Sequence, residues 1–155
     1  MKRICLFFAL LIPLISFAAE YRGTTGECTW SLDTKLGILT ISGTGSMDNY
    51  GSLKEQPWYD YRFSVKSIKV ENGVKKIGNY AFCGLSKATT AELGSNVVSI
   101  GKSAFEKCIS LSSVNIPAKV TNILSRSFFG CSSISYITIP KNVKAIGGSA
   151  FYECI

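Results

Sequence analysis

The sequence contains no histidine. Without imidazole, Ser-His-Asp and Cys-His nucleophile pairs are excluded, and so are zinc sites that need a histidine ligand. Hydrolysis by paired carboxylates stays open in principle. However, Asp33, Asp48, Glu55 and Asp60 are scattered with no recognisable spacing, so no enzyme is expected. Gly43 and Gly45 are not followed in register by Lys-Ser/Thr, which removes a phosphate-cradling loop. No dense basic run and no interleaving of aromatic with basic residues occurs, which argues against a nucleic-acid partner. There is no Asn-x-Ser/Thr sequon, so N-glycosylation is not expected. Beyond Ala18 no stretch is long and apolar enough to span a membrane.

What is present is a 155-residue chain, 46% hydrophobic and 17% charged. That is room for one domain and too apolar for a disordered segment. Much of the apolar excess lies in "MKRICLFFALLIPLISFAAE". A basic start at Lys2 and Arg3, an apolar run from Ile4 to Ile15 and small residues after it read as a signal peptide over residues 1–18, cleaved after Ala18. The alternative, an uncleaved anchor, fits less well because the run is short and Pro13 interrupts it. The mature chain is therefore expected to be secreted or held at the cell surface. It keeps fifteen basic against ten acidic residues. This excess permits weak attraction to acidic glycans or cell surfaces, although a solvated basic face is the commoner explanation.

Phe82, Phe105, Phe128 and Phe151 recur at one constant interval of twenty-three positions. The same interval separates Ile77, Ile100, Ile123 and Ile146, and also Val74, Val97, Val120 and Val143. A constant period in the low twenties means stacked coils, here four repeats over 64–155 with the last incomplete. "SSVNIP" and "SYITIP" alternate as half-buried strands, ended by proline or, in the earlier copies, by Glu71 and Gly94. A second inward bend follows at Val120 and Ile123. Gly78, Gly101 and Gly147 are expected to turn the chain with positive φ. The spacing of Ala104, Phe105, Cys108 and Leu111 predicts a short helix or 3₁₀ turn.

Residues 19–63 lack the period and form a cap. "TWSL" and "ILTIS" around "DTKLG" predict a β-hairpin, and "GTGSMDNYG" a turn-rich loop. The aromatic cluster in "PWYDYRF" has two readings, a sugar platform or a packed lid. Trp30 and Trp58 are placed to cover the first coil, and the lid is preferred.

Five cysteines follow the leader, an odd number. Cys108, Cys131 and Cys154 share the period and are expected as a core-facing ladder. Parallel Cβ vectors there suit disulfides poorly, and a linear array does not suit tetrahedral zinc. Buried free thiols are the preferred reading, with a disulfide as the alternative. Cys83 lies off the ladder and is expected to be the most reactive, with Cys28 as a candidate partner.

The pattern V-x-I-P-x-x-V-x-x-I-G-x-x-A-F-x-x-C-x-x-L resembles the BspA-type leucine-rich repeat family from Val65 onward. "GECTWSLDTKLGILTISGTGSM" and "PWYDY" are similar to that family's N-terminal cap. The resemblance implies an α/β-type, right-handed repeat solenoid with short parallel strands. It also implies cell-surface adhesion through host or matrix proteins or other cells. From the residues themselves, no cofactor and no metal are expected. Leu85 replaces the ladder cysteine in the first repeat, while Leu124 and Ser127 replace glycine and alanine in the third. If the turn needs positive φ, Leu124 is strained.

On such a stack the outward strand positions form two rows: Ser67, Thr90, Ser113 and Tyr136, and Lys69, Glu92, Asn115 and Thr138. These are the candidate partner-binding residues, for an extracellular protein or cell-surface ligand. Phe82, Phe105, Phe128 and Phe151 and the cysteine ladder are assigned to structure. The chain stops at Ile155 inside the fourth repeat. That suggests either a fragment of a longer protein or self-association through the open end, the second functional reading.

Overall fold

The computed structural model describes residues 20–154, and the leader read at residues 1–18 lies outside them. The cap contributes β1 (Glu20–Thr25), β2 (Cys28–Asp33), β3 (Ile38–Gly43) and β4 (Gly45–Ser46). The repeats contribute β5 (Ser67–Val70), β6 (Val74–Ile77), β7 (Thr90–Glu92), β8 (Ser99–Ile100), β9 (Ser113–Val114), β10 (Asn122–Ile123) and β11 (Ala145–Ile146). They form two sheets, β1-β2-β3-β5-β7-β9 and β4-β6-β8-β10-β11. β1 to β3 are antiparallel and every later pairing is parallel. Registers follow the period: Ile68 opposes Ala91, which opposes Val114, and Ile77, Ile100, Ile123 and Ile146 form a second series. The hairpin is where the sequence places it. β1 is an additional cap strand, and β4 lies inside the expected loop.

Each coil has three sides, one in each sheet and a third without strands. The third side is not the expected helix or 3₁₀ turn, so the α component of the expected fold is absent among the described residues. Their 3₁₀ turns are Leu53–Glu55 and Tyr59–Tyr61, both in the cap. The reason lies in the backbone. Tyr80, Ser103, Arg126 and Ser149 have φ of 54°, 53°, 57° and 57°, and Gly84, Lys107, Gly130 and Glu153 have φ of 74°, 58°, 70° and 61°. Two left-handed residues four apart in every coil interrupt a right-handed helix. What results is a run of turns in which alternate N–H groups point along the stack. Ala81 N donates to Gly78 O and Cys83 N to Tyr80 O, whereas Tyr80 N donates to Lys102 O and Phe82 N to Ala104 O in the next coil. Every N–H from Tyr80 to Leu85 finds an acceptor, alternately in the next coil and in its own.

The glycine reading is corrected. Gly78, Gly101 and Gly147 do not have positive φ; the left-handed residue lies two positions later. Their role is closeness. A Cβ on Gly101 would lie 2.6 Å from both the carbonyl carbon and oxygen of Gly78, and one on Gly147 would lie 2.7 Å from the carbonyl carbon of Leu124. Leu124 likewise has no left-handed φ, and its side chain is exposed rather than packed between coils. In that coil Ser127 Oγ lies 2.9 Å from Gly101 O and 2.6 Å from Leu124 O, contacts that an alanine lacks.

The core runs the length of the stack. Phe82, Phe105 and Phe128 are fully buried, and successive phenylalanine centroids are 5.2, 5.0 and 5.3 Å apart through Phe151. Trp58 extends the column into the cap, 6.0 Å from Phe82, with Trp30 edge-on at 5.7 Å. The tryptophans therefore form the lid. Gln56 secures it by donating from Nε2 to Tyr80 O at 2.6 Å and Cys83 O at 3.0 Å. No helix among the described residues is long and apolar enough to cross a membrane.

Candidate binding surface

Alternation in β5, β7 and β9 turns every second side chain out of the first sheet. Ser67, Thr90 and Ser113 are register partners, as are Lys69 and Glu92. Tyr136 and Thr138 follow in the next coil on chain that forms no strand, and Tyr136 is 83% exposed. Lys69, Glu92 and Asn115 line one open groove of about 630 Å³, together with Glu71 and Asn72. Ser113, Asn115, Tyr136 and Thr138 line a second of about 250 Å³. The structure thus brings the two rows together on one face.

Asn115 differs from its neighbours. Its Oδ1 accepts from Leu93 N at 2.8 Å and its Nδ2 donates to Leu93 O at 3.0 Å. The side chain continues the strand pairing where β9 stops, so one of its two donors and one of its two acceptor sites are used within the fold. Sequence reasoning missed the extension of the rows into the cap. Lys69 opposes Thr40, then Ser31, then Arg22, while Ser67 opposes Ile38, then Asp33, then Glu20. The alternation of β2 was the available signal. On this extended face Arg22 and Glu20 form an exposed ion pair at 2.7 Å.

Three of the four carboxylates weighed for chemistry, Asp33, Asp48 and Glu55, accept backbone hydrogen bonds. Asp33 accepts from Lys35 N and Leu36 N, both at 2.9 Å. Asp48 accepts from Gly26 N at 2.6 Å, and Glu55 from Gly51 N at 2.8 Å. On the third side Glu106 pairs with Arg126 at 2.6 Å. Burial alone would raise the Glu106 pKa, but the hydrogen bonds and charge of Arg126 bring it below the ordinary carboxylate value. Among the described residues no group of three or more His, Cys, Asp or Glu side chains is placed to hold a metal ion.

Cys28, Cys83, Cys108, Cys131 and Cys154 are free thiols. The ladder cysteines each donate to a phenylalanine carbonyl of the preceding coil: Cys108 to Phe82 O, Cys131 to Phe105 O and Cys154 to Phe128 O, all at 3.1 Å. The expectation for Cys83 is corrected. It is buried, because the cap segment ending at Gln56 lies over its coil. Burial pushes its thiol up to about 11 and that of Cys131 up to about 12, with Cys108 also well above its ordinary value. A pKa near 11 instead of 9 leaves roughly 100-fold less thiolate at pH 8, and the thiolate is the reactive form. Native protein labelled at pH 8 should therefore modify half-buried Cys154 first, and Cys83, Cys108 and Cys131 only on unfolding. Mass mapping that finds Cys83 or Cys108 labelled ahead of Cys154 would contradict this.

A family model described as a BspA type leucine-rich repeat region, in six copies, matches residues 55–155. Among solved structures, the chain is similar to a leucine-rich repeat protein from Eubacterium ventriosum, at 22% identity and a TM-score of 0.56, covering 84% of this chain and 45% of that one. A leucine-rich repeat protein from T. pallidum is similar at 19% identity and 0.54, covering 81% and 53%. One from Bacteroides ovatus is similar at 27% identity and 0.53, covering 83% and 32%. The chain spans about a third to a half of the length of these structures. A search of curated proteins finds no match.

Proposed function

Because the chain belongs to the BspA-type leucine-rich repeat family, we propose that it is a secreted or cell-surface module that binds a protein partner through the outward face of its first sheet, and that this binding mediates adhesion. The observation that carries the reading is Tyr136. A large aromatic is 83% exposed in a groove it shares with the hydroxyls of Ser113 and Thr138, the amide of Asn115 and the aliphatic Ile116 and Ile137. Tyrosine in such a setting is a common energetic anchor of protein interfaces. Around it the rows supply adaptable polar contacts that the core does not require, since Ser67, Lys69, Thr90, Glu92, Ser113 and Thr138 all point away from the phenylalanine column. Asn115 contributes through position, holding the groove floor.

Binding of the purified chain to a panel of immobilised extracellular-matrix proteins, and to epithelial cells, tests the proposal. Tyr136→Ala combined with Lys69→Glu should weaken any saturable binding by about tenfold or more. Lys107→Ala, on the third side, should leave it unchanged. Equal effects of the two variants, or no saturable binding to the panel or to cells, would count against this face.

A further inference from the structure

The second side of the coil carries a different surface. Its longest strand, β6, buries its outer two positions, Val74 and Ile77, and exposes the middle two, Lys75 and Lys76. Folding gathers Lys75, Lys76, Lys102, Lys119, Lys141 and Lys144 onto this side and its bounding turns, all six exposed, although they are spread over all four repeats. None is in an ion pair; the ion pairs among the described residues are Arg22–Glu20 and Arg126–Glu106. Lys119 Nζ donates to Asn96 Oδ1 at 2.6 Å, a neutral partner. Glu71 stands at the leading corner. Asp48 and Glu27 lie at the cap end, where their carboxylates already accept from Gly26 N and Ser46 N.

We infer that this side is a binding surface for a linear acidic polysaccharide. The first coil supplies two lysines, the second and third one each, and the fourth two. Coils follow each other at about 4.8 Å, so Lys75 and Lys144 are about 14 Å apart along the stack. The coil pitch is close to the advance of one sugar ring, so Lys75 and Lys144, with Val98 and Thr121 in the coils between them, match sulfates or uronates about three rings apart. Lys76 lines a shallow groove of about 470 Å³ on this side, whose polar lining includes Asn79, Ser99 and Asn122 and whose apolar lining includes Val98 and Leu124. Amides and hydroxyls there match sugar hydroxyls. No aromatic side chain lines this groove, so a single-stranded nucleic acid would find no stacking platform. The surface is separate from the first-sheet face, and the inference does not depend on that face binding protein.

Fluorescence anisotropy with a labelled heparin oligosaccharide tests it, using the full chain at low salt with uncharged dextran as the control ligand. Lys75→Gln/Lys76→Gln/Lys144→Gln should weaken heparin binding about tenfold or more. It should also reduce the slope of log affinity against log salt by about two. Lys35→Gln/Lys54→Gln/Lys87→Gln removes the same charge elsewhere and should change affinity by less than about twofold. Lys102→Gln/Lys119→Gln, on the same side, should weaken binding too, which keeps the test decisive if the triple variant unfolds. Equal loss in the control variant would reduce the effect to net charge and overturn the site. Absence of heparin binding, or duplex DNA binding as tightly through the same lysines, would overturn the polysaccharide assignment.

Discussion

Phe105→Ala is expected to lower the unfolding free energy by about 3–5 kcal/mol. Phe105 is fully buried between Phe82 at 5.2 Å and Phe128 at 5.0 Å, and its ring is parallel to that of Phe128 within 1°. The size of the effect depends on whether the neighbours can close the gap. Here they are held apart by backbone bonds running along the stack. Phe82 N donates to Ala104 O, Phe105 N to Ser127 O and Phe128 N to Ala150 O. These bonds fix the pitch, so the cavity stays open and its full cost is felt. Phe151→Ala removes the same ring from a half-buried position and should cost about 1–2 kcal/mol. Urea unfolding followed by far-UV circular dichroism, together with fluorescence of Trp30 and Trp58 in the cap, gives both values. Equal losses for the two variants would mean that the phenylalanine column does not carry the core.

The second large effect concerns glycine. Gly101→Ala should destabilise by about 2–3 kcal/mol, because its Cβ would meet the Gly78 peptide at 2.6 Å and only backbone can give way. Gly148→Ala makes the contrast. A Cβ there meets nothing within 4 Å, and its φ is not positive. That variant should be neutral or more stable by up to about 1 kcal/mol, through the less flexible unfolded chain. Thermal or urea unfolding of the pair decides between contact and flexibility as the reason for glycine. A neutral Gly101→Ala would refute the close-approach account.

The difference between these glycines marks the limit of sequence reading. The period, the inward columns of valine, isoleucine and phenylalanine, the cap hairpin and the tryptophan lid were legible, because each rests on spacing or local pattern. Gly101 was legible as a requirement but not as to its cause, since the cause is a peptide one full repeat away. The missing helix was hidden because its interrupters include Tyr80, Ser103 and Arg126, residue types that do not announce a left-handed backbone. Cys83 looked accessible because nothing local shows that the segment around Gln56 lies over it. At the surface, the rows through Ser67 and Lys69 followed from alternation, but their continuation to Arg22 and Glu20 required the antiparallel register of the cap. The lysines of the second side showed no basic run in the sequence, because the coil contributes them one or two at a time.

The direction of the hydrogen bonds on the third side has a consequence for changes in chain length. Each coil meets the next through the same bonds, rings and thiol-to-carbonyl contacts, displaced by one pitch. The stack therefore behaves as a one-dimensional lattice whose unit cell is a single repeat. Insertion or removal of a whole unit is a pure translation: every interior contact type survives and the molecule only becomes longer or shorter. A single added residue inside a coil is a phase error. It puts the left-handed positions, the close-approach glycine and the ring out of step with the coil on either side, and the mismatch cannot be shared among distant neighbours because each coil touches only two others. Selection on such a chain is then strict about phase and permissive about number. The lattice also sets the grain of both faces, since a new outward side chain can be placed only at multiples of the pitch.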